Sequence, residues 1–204
     1  MTRVDLQGRL RLFFNNDQYY QGIDFNDSIQ DGWDEVNAFA GCSFATATIP
    51  IQANRTYYDL GTILGNYVGL YAIFNTQFNR FMIPISERKL DQFRIDWETA
   101  IGTPWYFWPV NYRYIAIYKK PGSSTGNFYV FYLASAPTLD DTTTITIPDD
   151  HIQALENYNI TDLLEMQQEW GKASAMFDTY VSNLESLRIL MRNKRNPDRL
   201  SALK

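Results

Sequence analysis

The chain has one histidine and one cysteine among its 204 residues, so chemistry that needs either must use His151 or Cys42. His151 follows Pro148-Asp149-Asp150, and a neighbouring carboxylate is what orients an imidazole as a general base. The same residues also read as the acidic first turn of a helix, where Asp suits the positive end of the helix dipole. On that second reading, which we adopt, His151 is exposed and structural. A Ser-His-Asp triad would need a Gly-x-Ser-x-Gly elbow on a strand-to-helix turn; Gly122-Ser123-Ser124-Thr125-Gly126 has the spacing but reads as a loop joining two strands, so it is not such an elbow. A pairing of Cys42 with His151 has no supporting signature. One histidine and one cysteine cannot build a structural zinc site. Asp140-Asp141 and Asp149-Asp150 lack the alternating spacing of a calcium loop, and a turn and a helix start account for them. Two carboxylates facing across a cleft would suit a glycosidase, but no spacing selects a pair from the 23 acidic residues. Gly61-Thr62-Ile63-Leu64-Gly65 is followed by no lysine, so it reads as a glycine-bounded bend between strands and not as a phosphate loop. The expectation is a protein without catalytic residues, metal or cofactor.

Aromatic residues are the more distinctive signal. Tyr19-Tyr20, Tyr57-Tyr58, Trp97, Trp105-Tyr106-Phe107-Trp108, Tyr112, Tyr114 and Phe128-Tyr129-Val130-Phe131-Tyr132 crowd segments with strand character. Alternation along a strand turns about half of such rings outward, and rings outside a core mark contact surfaces. A protein interface, a sugar platform and a single-stranded nucleic acid platform all use them. The last needs a basic groove, and the most aromatic stretch, Trp97 to Tyr132, offers only Arg113, Lys119 and Lys120. Interfaces favour Trp and Tyr anchors, so Trp105, Tyr106 and Trp108 are taken as protein-contact candidates; core filling stays open for any single ring.

Charge points the same way. The net charge is −5, yet residues 185–204 carry six basic and two acidic side chains, which leaves −9 for residues 1–184. Arg188, Arg192, Lys194, Arg195 and Arg199, with Leu200 and Leu203 as apolar anchors, form a candidate partner-binding arm. An ordinary solvated tail is the alternative.

The elements that must position these residues follow from periodicity. Thr2 caps a helix carrying Leu6, Leu10, Phe13 and Phe14, stopped at Asn15-Asn16. A second helix starts at Asp24 or Asp27, presents Phe25, Ile29, Trp33, Val36 and Ala40 on one face, and ends at Gly41. Strands are expected at 44–51, 68–74, 78–85, 105–110, 112–118 and 128–133, with a hairpin turn at Asn75-Thr76-Gln77. A short helix capped by Ser86 interrupts them, and Ile145-Thr146-Ile147-Pro148 closes the β region. After Asp149 the helical pattern returns and reads as two helices broken near Gly171, ending at Asn196-Pro197. Segregated runs of this kind indicate an α+β fold, a helical body with a β-rich antiparallel insertion. The expected division is 1–42 and 149–192 for the body, 43–148 for the insertion and 193–204 for the arm. No apolar run reaches membrane-spanning length and no secretion signal opens the chain; synthesis in a reducing cytoplasm fits the lone cysteine.

From Trp97 onward the order of motifs resembles the head-to-tail adaptor (head-completion, or connector) proteins of tailed bacteriophages. The residues that carry the resemblance are Trp97, Gly102, Pro104, Tyr106, Ile115-Ala116-Ile117, Pro121, Tyr129-Val130-Phe131-Tyr132, Pro137 and Ile147-Pro148-Asp149. Tyr158, Leu163, Phe177, Tyr180 and Leu184 complete the pattern; where relatives carry Pro-x-Pro, this chain has Lys119-Lys120-Pro121. The resemblance implies a virion protein of the neck, made in the host cytoplasm. It also implies a homo-oligomeric ring, about twelvefold, that binds the portal protein and tail or neck proteins and extends the DNA channel. Genomic DNA would pass through without specific binding, which an acidic body suits. The rival reading is a β-sandwich carbohydrate- or protein-binding module of a phage tail or fibre.

Overall fold

The computed structural model describes residues 1–15, 22–93, 97–111 and 113–194. In chain order it begins with helices α1 (Arg3–Phe13) and α2 (Gly22–Ala40), strands β1 (Phe44–Pro50) and β2 (Tyr57–Asp59), and a helical turn α3 (Leu60–Ile63). Strands β3 (Tyr67–Asn75), β4 (Arg80–Phe81) and β5 (Ile83–Pro84) precede helix α4 (Glu87–Phe93). Strands β6 (Ile101–Gly102), β7 (Tyr106–Val110), β8 (Tyr114–Tyr118), β9 (Lys120–Pro121) and β10 (Asn127–Ala134) follow. A 3₁₀ turn (Asp149–His151) then leads to helices α5 (Gln153–Met166) and α6 (Trp170–Lys194). The fold is α+β, and the chain divides into two compact units, Met1–Ser43 with Ser135–Lys204 and Phe44–Ala134.

In the helical unit, α1 starts on a reciprocal cap. The Thr2 hydroxyl accepts from the Asp5 amide at 3.3 Å while the Asp5 carboxylate accepts from the Thr2 amide at 2.8 Å. The apolar face of α2 is buried throughout, from Phe25 through Ile29, Trp33 and Val36 to Ala40. Gly41, at φ 63°, ends it by donating to the Asn37 carbonyl at 2.7 Å. Where α2 meets α5 the backbones close up. A Cβ on Gly32 would lie 2.6 Å from Asn159 Oδ1 and 2.6 Å from Tyr158 Cδ1.

Two sequence expectations change here. The segment 135–148 belongs to the helical unit, so the β-rich unit ends at Ala134 and not at Pro148. Leu139, Ile145 and Ile147 are buried in the helical core. Arg3 donates to the Leu139 carbonyl at 2.8 Å, and the Ile145 amide donates to the Met1 carbonyl at 2.9 Å. Apolar alternation reads as a strand, but the surface it covers is helical. The break between α5 and α6 lies at Gln168, φ 61°, three residues before Gly171, which sits inside α6. The Gln168 and Glu169 amides donate to the Glu165 and Leu164 carbonyls, at 2.9 and 3.0 Å. A paired C-cap of this kind normally selects glycine, and here glutamine takes the position.

The β-rich unit contains two four-stranded sheets, ordered β1-β10-β3-β4 and β2-β8-β7-β5, and a small β6-β9 pair. The two larger sheets share a core that includes Ile49, Tyr58, Ile73, Phe107, Ile115, Ile117, Phe128 and Val130. Strand β8 is buried on both faces. Ile115 and Ile117 enter that core, whereas Ala116 and Tyr118 join Leu90 of α4, Trp97 and Trp108 in a second one. The principal pairings are antiparallel as expected, but β5 on β7 and β6 on β9 are short parallel pairs. The strand expected over 78–85 is two short pieces, because the turn runs on to Asn79 at φ 50°.

Candidate interaction surface

One face of the β1-β10-β3-β4 sheet is lined with rings. Along β10, Phe128, Val130 and Tyr132 point into the core, so Tyr129 and Phe131 point away from it. Tyr129 pairs across the strands with Phe74, ring centroids 6.3 Å apart and nearly coplanar. Phe74 meets Phe81 edge-on at 5.2 Å, and Phe81 meets Phe131 at 5.9 Å. Phe44 of β1 reaches Tyr71 at 6.2 Å, and exposed Thr46 and Thr48 continue its side of the strand. Ring-on-ring contacts of this kind stabilise by about 0.5–1.5 kcal/mol each beyond their area. The face is therefore preorganised, apolar and uncharged, which suits a protein partner.

The ring candidates from sequence separate. Trp105 is 41% exposed, and the Arg80 guanidinium lies over its ring, 3.9 Å from the centroid. Tyr106 is half-buried and stacks on Tyr118 at 6.2 Å. Trp108 is a correction. At 3% exposure it packs edge-on against Trp97, 5.1 Å away, so it fills the second core and is not a surface anchor. Trp97 is held in turn by its indole N–H donating to Asp91 at 2.7 Å.

Of the basic candidates, Arg188 lies over the Phe39 ring at 4.9 Å and Arg192 is exposed near the end of α6. The described helix runs to Lys194, past residue 192, where the expected division ended the helical body. Arg195, Arg199, Leu200 and Leu203 lie outside the described residues, as do the Lys194 side chain, Asn16, Tyr19, Tyr20, Tyr112, Asn196 and Pro197.

The groups considered for chemistry are placed as follows by the fold. His151 sits on the 3₁₀ turn and is partly buried, not exposed, because α5 begins only at Gln153. Asp140 accepts from the amides and hydroxyls of Thr142 and Thr143, which hold its carboxyl well below the usual range. Asp141 pairs with Arg3 at 2.7 Å. Asp59 receives Arg113 through Nε, at 2.9 and 3.0 Å to its two oxygens, and through Nη2 at 2.7 Å. That grip lowers the Asp59 pKa and raises that of Arg113. Asp59 also caps α3, accepting from the Thr62 amide at 3.0 Å, so the Gly61–Gly65 bend is a capped helical turn. Among the described residues, no three His, Cys, Asp or Glu groups are placed to hold a metal ion, and no helix is long and apolar enough to cross a membrane.

Sequence reasoning missed Phe44, Phe74 and Phe81 as members of the ringed face. The alternation Phe44-Thr46-Thr48 marked one strand of it, but Phe81 stands on a two-residue strand that no periodicity reveals. Arg80 and Trp105 are 25 positions apart, and only the fold brings them together.

The family model described as SU10 adaptor protein matches residues 1–200. No curated protein matches the chain.

Proposed function

The chain belongs to the SU10 adaptor protein family, and from that membership we propose that it is the ring-forming neck protein that joins a phage portal to its tail. It is a phage adaptor, a structural protein of the virion. The proposed finer role is a closed ring of copies beneath the portal, about twelvefold, each contacting its neighbour and together lengthening the channel through which DNA leaves. The family match over residues 1–200 carries this reading. The ringed, uncharged face of the β unit supports it, since a neck subunit must offer surface to neighbours and to the tail. So does the charge of −9 over residues 1–184, which repels a passing duplex. Arg188, Arg192, Lys194, Arg195, Arg199, Leu200 and Leu203 are proposed as the portal-directed arm, and Trp105 and Tyr106 as partner contacts. The test is to make particles without this chain. Filled heads bearing portals but lacking tails are expected; tailed, infectious particles would overturn the proposal.

A further inference from the structure

Strand β1 is an open edge. It pairs with β10 along one side, in an unbroken register from Phe44↔Leu133 to Pro50↔Asn127, and among the described residues no strand pairs with its other side. The Ile51 amide donates to the Gly126 carbonyl at 3.2 Å. Antiparallel alternation then turns the backbone of Ala45, Ala47 and Ile49 toward β10 and that of Thr46 and Thr48 outward. Neither threonine has a backbone partner on that outer side among the described residues. The far side of the sheet is guarded differently: β3 carries two register shifts and β4 covers one end of it. Natural sheets blunt a long edge with lysine, proline, inward charge or bulges; β1, Phe-Ala-Thr-Ala-Thr-Ile-Pro, has no charge and no shift in its register, and its one proline, Pro50, stands at its last position and leaves Thr46 and Thr48 unguarded.

We propose that β1 of one copy pairs antiparallel with β1 of a second copy about a twofold axis through Ala47, joining the two ringed sheets into one. The sequence of the strand is matched to itself in this register. Thr46 faces Thr48 of the second copy, and the two outward threonines of each chain exchange four backbone hydrogen bonds across the axis. Thr–Thr pairs are favourable cross-strand neighbours. The contact is isologous, so it closes at two copies. Neighbours in a cyclic ring of more than two copies are not related by a twofold axis, so the dimer must open before a subunit enters the ring. The dimer is thus a free state that masks the edge until assembly. Its existence does not depend on the neck role, and either reading can fail alone.

The test uses the full chain. Sedimentation should give a species of twice 23.8 kDa that dissociates on dilution. Thr48→Pro removes an outward N–H and spares the β10 ladder, the one strand setting that tolerates proline. It should keep the circular dichroism and melting temperature of the parent and raise the dissociation constant at least about tenfold. Ala47→Cys puts one thiol from each copy at a non-hydrogen-bonded pair with Cα atoms about 4.5 Å apart, within disulfide reach. Mild oxidation should then yield a covalent dimer, with the parent, whose Cys42 is buried, staying uncrosslinked. A parent that is monomeric at every concentration would overturn the proposal. So would a folded Thr48→Pro chain that dimerises like the parent, or an Ala47→Cys chain that never crosslinks.

Discussion

Gly32 sits where α2 and α5 come closest, and it has a decisive sign test. Alanine is the better helix former by about 1 kcal/mol, so with open space Gly32→Ala would stabilise. A Cβ there meets Asn159 Oδ1 and Tyr158 Cδ1 at 2.6 Å each, and Asn159 is fully buried. Neither neighbour can retreat without disturbing the core, and overpacking costs about 1–3 kcal/mol. The expected outcome is a net loss of up to about 2 kcal/mol after the propensity gain, read from urea unfolding by far-ultraviolet circular dichroism. A raised midpoint would show that the helices are not this close. Nothing in the sequence around Gly32 distinguishes it from Gly8 or Gly171, which have open space, because the clash comes from residues more than 120 positions away. Trp108 was illegible because the residues that cover it stand on other elements. Alternation says that Trp108 and Phe107 face opposite ways, but both sides are buried because α4 and Trp97 cover one of them.

At the scale of elements, long amphipathic stretches were legible and short paired ones were not. The five apolar positions of α2 carry their own period, and the burial of that face follows from it. Strands β4, β5, β6 and β9 are two residues each and exist only because a distant partner bonds them. The helix break at Gln168 escaped because a residue without glycine's freedom took the left-handed position. The basic end of the chain was legible as charge, and its proposed role can be tested at this scale. Truncation after Lys194 keeps every described residue of α6, and the melting temperature is expected to stay within about 1 °C, as for changes outside a core. Portal pull-down at low salt should weaken severalfold. The difference should shrink as salt rises, because exposed charges are screened over about 8 Å at physiological ionic strength. Equal capture of both chains at low salt would make the arm an ordinary solvated tail.

For the whole molecule, the two compact units suggest a division of labour. The helical unit carries the basic end of α6, and the β-rich unit carries the ringed face and the open β1 edge. In the proposed role the chain holds two different partners, and two units with separate cores allow each surface to vary without unpacking the other. The α+β class was legible because helical and strand-like runs are segregated along the chain; the boundary at Ala134 was not, because Leu139, Ile145 and Ile147 alternate like a strand. The central claim is the place of the chain in the particle. A cryo-electron microscopic reconstruction of the virion neck, into which the two units are fitted separately, tests it most directly. The predicted result is a closed ring of copies between portal and tail, with α6 ends toward the portal. Density for the chain only at fibres or baseplate, with the portal joined to the tail by other proteins, would contradict it.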